Sequence, residues 1–253
     1  MVPWMWPIHI RTGTVFGESK LPLRKWFMAI YLLSTSGKGI SSVQLAKQVG
    51  VTQKTGWFID HRIRSAMKQN GGKLFGRIEA DETYIGGKAK NMHKEKREKV
   101  GTGGTSKTAI VGVIQRGGEV KAHVPENIKG ATLLCNIADK VQAGSFVYTD
   151  EHPAYNGLNR FGFYHGRVQH SRKEYVVGDA HTNTIESFWA LFKRGYHGIY
   201  HWMSPKHMQR YVDEFTFRWN RRESEMQNIF SETIKNMATN PQLPYKELTA
   251  KTV

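Results

Sequence analysis

The chain has 253 residues, 37 Lys+Arg against 21 Asp+Glu, and a net charge of +16, with 39% hydrophobic and 23% charged residues. That length supports a sizeable buried core and the composition excludes a disordered chain, while the basic excess points to a polyanionic partner, nucleic acid before an anionic membrane. A lone cysteine, Cys135, excludes a disulfide framework and a multi-cysteine zinc site.

No run approaches the ~18 apolar residues of a membrane span, and the start, MVPWMWP, lacks a basic n-region and an apolar h-region. The expectation is a soluble, cytoplasmic, nucleoid-associated protein without a membrane partner. Residues 1–64 carry nine Lys/Arg against two acids, and Lys88–Lys107 seven against two. The latter stretch has no apolar period and includes GTGGT, so it reads as a mobile basic loop.

The first 70 residues read as helical. LRKWFMAIYLLS (Leu23–Ser34) is strongly apolar with basic punctuation. In SSVQLAKQVGVTQKTGWFIDHRIR, Leu45, Ala46 and Val49 line one helical face, and Gly50 suits a turn with positive φ. Thr52 is a natural N-cap for a second helix from Gln53 and Lys54. Two readings remain for this pair: a helical hairpin that only packs, or a helix-turn-helix whose second helix contacts DNA.

Strand texture follows. LFGRIEADETYIG, SKTAIVGVIQRGG and EVKAHVPE predict three strands, the last two joined by a hairpin at Gly117-Gly118. Ala131–Val141 reads as a helix, and Ser145–Thr149 and Phe163–His170 as strands. A helix is expected over Asn183–Arg194, and another after Ser204-Pro205 to about Arg222, with Arg218, Arg221 and Arg222 facing outward. Trp202, Tyr211, Phe215, Phe217 and Trp219 are expected to supply a packed helical face. Pro241 and Pro244 mark a loosely packed tail. The expected architecture is α/β, a mixed sheet flanked by helices. It divides into a helical region over 1–70, a catalytic domain over 71–222 and a tail over 223–253.

Three acids stand out: Asp81 on the first strand, Asp150 after the SFVYT strand, and Glu186 near a helix start. Acids gathered from strands and a helix can share hard cations, and a two-ion site serves phosphodiester chemistry. Bland roles compete, because Asp150 could end a strand and Glu186 could close a capping box with Asn183. Asp81 and Glu82 point to opposite faces, so one of them joins a single site, and periodicity does not say which. His197 and His201 have i, i+4 spacing but read as surface residues, and His181 is placed to line a site near Glu186.

DETYIGGK (Asp81–Lys88), YTDEHPAY (Tyr148–Tyr155) and HTNTIESFWALFKRG (His181–Gly195) resemble the three catalytic boxes of bacterial insertion-sequence DDE transposases, in the branch whose full-length members begin with a zinc ribbon. Arg11–Leu33 and Ile40–Arg64 also resemble its pre-catalytic region, so the likeness spans Arg11 to Arg222. The paired cysteines of the zinc ribbon are missing from this chain.

The resemblance implies an RNase H-like catalytic fold, Mg²⁺ (with Mn²⁺ able to substitute), and strand cleavage followed by strand transfer. It selects Asp81, Asp150 and Glu186 as metal ligands and adds Lys193 as a phosphate contact in the catalytic set. DNA contacts are assigned to Gln53, Lys54, Lys96, Lys193 and Arg194. The implied partners are double-stranded DNA, as terminal inverted repeats and target, and further copies of the chain on that DNA. Two alternatives stand beside it: a truncated, non-transposing DNA-binding regulator, and an RNase H-like nuclease acting on RNA.

Overall fold

The computed structural model describes residues 11–17, 19–69, 71–87, 107–168, 181–241 and 243–250. In chain order its first elements are α1 (Leu23–Thr35), α2 (Ser42–Val49), α3 (Gln53–Ala66), β1 (Arg77–Ile85), β2 (Thr108–Gln115) and β3 (Val120–His123). Then come α4 (Gly130–Lys140), β4 (Phe146–Thr149), β5 (Tyr164–Arg167), α5 (Asn183–Gly195), α6 (Met208–Asn220), α7 (Met226–Thr239) and α8 (Tyr245–Thr249). They divide into two compact units, one of Met1–Lys68 with Arg221–Val253, the other Gln69–Asn220. No helix among the described residues is long and apolar enough to cross a membrane.

The first unit is helical. On α1, Trp26, Ala29, Ile30 and Leu33 are buried, the spacing of one helical stripe. Ser41 caps α2 by accepting from Gln44 N at 3.2 Å, and Gly50 ends it at φ 68° with its N–H on Ala46 O. Thr52 Oγ1 then accepts from Thr55 N at 3.2 Å, as the turn chemistry predicts. Gly56 lets α2 and α3 approach: a Cβ there would lie 2.8 Å from Ser42 O and 2.9 Å from Ala46 Cβ.

Arg62, 1% exposed, ties this unit together. It donates to Leu243 O at 2.9 Å and to Val15 O and Gly17 O at 2.8 Å, and lies 4.3 Å from the Phe58 ring centroid. Residues 223–253 differ from the loose tail expected of them. The described residues among them form α7 and α8, bury Thr233, Met237, Leu243 and Leu248, and pack α7 on α1 and α3. Thr233 and Met237 stand four residues apart, the helical repeat that turns one face of α7 inward, and Pro244 begins α8 rather than ending order.

The second unit is built on a five-stranded sheet in the order β3-β2-β1-β4-β5. Strands β1, β2 and β3 form an antiparallel meander, and β4 and β5 are added in parallel. Gly117, at φ 71°, makes the β2–β3 hairpin, closed by Gln115 N donating to Glu119 O at 2.9 Å. This is the expected α/β architecture, a mixed sheet flanked by helices.

Alternation gives the sheet two faces. Ile78, Ala80, Val111, Val113 and Val147 pack under α4 with Leu133, Ile137 and Tyr155. Ile85, Ile110, Ile114 and Val120 pack under α5 and α6 with Ile185, Phe188, Trp189, Phe192 and Phe215. Within α6 the expected outward Arg218 is instead buried, its guanidinium 2.5 Å from the fully buried Glu214 one turn earlier. That pairing satisfies two charges that burial would otherwise penalise. Trp202, expected in the packed face, is 66% exposed.

Candidate active site

Along β1, Arg77, Glu79, Asp81, Thr83 and Ile85 share the α5 face, as alternation and Ile85's packing require. Glu82 therefore points the other way, where it accepts a hydrogen bond from Tyr155 OH at 2.5 Å. The two neighbouring acids that periodicity left equivalent are thus separated by their surroundings. Asp81 is half-buried and its carboxyl is pushed up from 3.8 to about 7. Burial is the main cause, followed by the like charge of Glu82 and then those of Asp150 and Glu186; a hydrogen bond from the Glu82 backbone opposes them.

Asp150 directly follows β4. The parallel register pairs Glu79 with Tyr148, and Asp81 and Asp150 each lie two residues further along. Neighbouring strands run about 4.8 Å apart, so the two acids end side by side. Asp150 Oδ1 also accepts from His152 N at 3.0 Å, which fixes the turn leaving the strand.

Glu186 is exposed, in the first turn of α5. The N-cap is Thr182 rather than Asn183, and Thr182 Oγ1 donates to Glu186 Oε1 at 2.9 Å. Glu186 lies near enough to Asp81 for its charge to add to the raising of that carboxyl.

What holds α5 there was not foreseen from the sequence. Glu79, fully buried, accepts from Thr184 N at 2.8 Å, Thr184 Oγ1 at 2.9 Å and Ile185 N at 3.0 Å, and so caps α5 from the sheet. Arg116 Nε donates to the same carboxylate at 2.8 Å and its Nη2 to His181 O at 2.9 Å. His181 Nδ1 sits 3.1 Å from Glu79 Oε1, so His181 belongs to this anchor. Gly112, the register partner of Asp81, removes the obstacle to close packing: a Cβ there would meet Trp189 Cζ2 at 2.8 Å. The sequence signal available for Gly112 was a glycine inside a strand, the usual mark of close approach.

Lys193 and Arg194 are exposed in the last turn of α5. Gln53 and Lys54 are exposed in the first turn of α3 in the other unit. Gln53 Nε2 donates to Ser42 Oγ at 3.1 Å, and Lys54 Nζ lies 5.0 Å from the Tyr245 ring centroid. Lys96 and most of the basic loop lie outside the described residues. His197 and His201 are exposed, as expected, with His201 at φ 56° after a π-helical turn over Tyr196–Tyr200. Among the described residues, no three His, Cys, Asp or Glu side chains are clustered tightly enough to hold a metal ion as they stand.

Residues 73–220 match the model of the ISXO2-like transposase domain. The chain belongs to the ISXO2-like transposase family. It is 31% identical over 207 residues to an uncharacterized protein in transposable element ISH50 of Halobacterium salinarum, covering 77% of this chain and 67% of that protein. It is 34% identical over 122 residues to an uncharacterized transposase-like protein of Haemophilus influenzae, covering 46% of this chain and 94% of that one. A chain of the simian T-cell lymphotropic virus intasome in complex with PP2A regulatory subunit B56 gamma aligns over 85% of this chain and 76% of its own, at 12% identity. Its TM-score of 0.31 is too low to bear on fold or function.

Proposed function

We propose that this family member binds the ends of an insertion sequence and catalyses metal-dependent strand cleavage and strand transfer, with Asp81, Asp150 and Glu186 as metal ligands. The observation carrying this reading is the strand register that sets Asp150 beside Asp81 on one sheet face, with Glu186 near enough for its charge to reach Asp81. An all-oxygen donor set of carboxylates fits a hard divalent cation, Mg²⁺ or Mn²⁺, whose charge would offset the repulsion between them. Such ions, when bound, activate a water or a 3′-hydroxyl and neutralise the leaving oxygen.

The protein's own groups position DNA. From Glu186 to Lys193 is seven residues, 20° short of two helical turns and about 10.5 Å along the axis. Lys193 can thus hold a phosphate beside the acids, with Arg194 next to it. In the helical unit, Gln53 and Lys54 stand at the exposed start of α3, the end that a helix-turn-helix directs into the major groove. Lys96 adds sequence-independent attraction, and copies of the chain assemble on paired ends. The non-transposing regulator shares the DNA-binding helices but leaves three intact acids without a use.

A strand-transfer assay with end-containing oligonucleotides and Mg²⁺ tests the reading. Joined products that depend on both the end sequence and the metal support it. Duplex binding without cleavage under any divalent metal contradicts it and favours the regulator.

A further inference from the structure

The sheet face that carries the acids also carries a second feature, on the strands that α5 does not crown. In the registers of β1, β4 and β5, Arg77 pairs with Phe146 and Phe146 with Tyr164, a lateral row on one face. Two residues along comes the row of Glu79, Tyr148 and Gly166, and two more reach Asp81 and Asp150. At about 3.3 Å per residue, the aromatic row lies roughly 13 Å from the acids, along the strands of a single sheet face.

Phe146 and Tyr164 are unusual for their place. They are 49% and 61% exposed, although α5 packs on β1 and β2 and α6 on β3. Their rings stack at 4.9 Å between centroids with an interplanar angle of 25°. A stacked, open pair leaves ring faces to which another flat ring can add. Arg77 beside them is exposed. Exposed aromatic faces, this cationic neighbour and a net charge of +16 are complementary to the bases and phosphates of an unpaired strand.

We propose that Phe146 and Tyr164, flanked by Arg77, form a stacking platform for unpaired DNA bases on the strand leading away from the acid site. This rests on the transposase reading for its ligand. The spacing of about 13 Å corresponds to about four stacked nucleotides at ~3.4 Å each, so the platform engages bases within a few positions of the scissile phosphate.

The test uses the full chain in EDTA, which prevents cleavage, with a short single-stranded oligonucleotide carrying 2-aminopurine and a separate duplex of the same sequence. The wild-type protein quenches the 2-aminopurine by stacking. The Phe146→Leu/Tyr164→Leu variant keeps apolar bulk but loses the rings; it should lose the quenching and bind the single strand at least about fivefold more weakly, with duplex affinity nearly unchanged. The exchange Phe146→Tyr/Tyr164→Phe keeps both rings and should quench like wild type, which guards against a folding defect in the leucine variant. Unchanged quenching in the leucine variant, absent quenching in wild type, or an equal loss of duplex and single-strand binding overturns the platform. Failure of Mg²⁺-dependent strand transfer with quenching intact would instead count against the transposase reading alone.

Discussion

Glu79 and Asp81 lie two residues apart on the same face of β1, yet their surroundings are opposite. Glu79 is fully buried and receives two backbone amides, a hydroxyl and a guanidinium. Asp81, at the middle of β1, is raised first by burial and then by the like charges of Glu82, Asp150 and Glu186. A carboxylate saturated with donors is part of the frame, whereas one surrounded by carboxylates suits the cation that the proposed function assigns to it. The frame and the site are linked, because the amides that Glu79 accepts from belong to the turn of α5 that carries Glu186.

The sharpest way to break the contrast is to truncate each acid. Glu79→Ala removes the carboxylate that Arg116 Nε and the first backbone amides of α5 donate to, at a fully buried position. We expect a loss of about 3–5 kcal/mol in urea unfolding of the catalytic unit. Asp81→Asn removes a charge that its neighbours oppose, so the melting temperature should hold or rise. Metal-dependent cleavage should nonetheless fall by at least about a hundredfold, the upper end of what loss of a mere supporting partner costs a metal site. A large destabilisation by Asp81→Asn would erase the distinction.

Gly112→Ala probes the packing that brings α5 to Asp81. The added methyl would lie within 2.9 Å of two Trp189 ring carbons, which cannot swing aside freely in a filled core. Overpacking of this kind costs typically about 1–3 kcal/mol, and cleavage should drop alongside stability because Glu186 moves with the helix. A variant as stable and as active as wild type would show that the close approach is incidental.

A smaller effect is expected on the opposite face, where His123 is pushed down from 6.5 to about 4 by burial first and then by the Lys140 charge, partly offset by Asn136 and Asp139. The unfolded chain therefore takes up the proton first. Stability should be fully present above about pH 6.5 and fall as the pH drops from there toward 4. His123→Asn should flatten that segment of the profile in denaturant titrations at a series of pH values. An unchanged slope would remove His123 from the account.

Much of the site was legible in the sequence, but not its support. The resemblance singled out Asp81, Asp150 and Glu186 as the candidate site, and the two-residue period already set Asp81 and Glu82 on opposite faces. Glu79 was not legible, because an acid in EADE has no local mark of its partner and Thr184 lies 105 residues away. Arg218 was misplaced for a related reason: a basic residue near a helix end reads as solvated until its helix face and the buried Glu214 are known. The C-terminal helices were overlooked at Pro241 and Pro244, although Thr233 and Met237 carried the spacing of a packed face. Local chemistry is visible in a sequence, while pairings made across a hundred residues require the fold.

The central claim, that Asp150 holds the catalytic cation beside Asp81 and Glu186 in addition to its turn contact with His152 N, is most directly tested by Asp150→Asn. End-containing duplex would be titrated for binding and, in parallel, incubated with Mg²⁺ or Mn²⁺ for cleavage. The account predicts that binding stays within about twofold of wild type while cleavage is abolished, since one metal ligand and one negative charge are lost. Cleavage at the wild-type rate, or an equal loss of binding and cleavage, would contradict it.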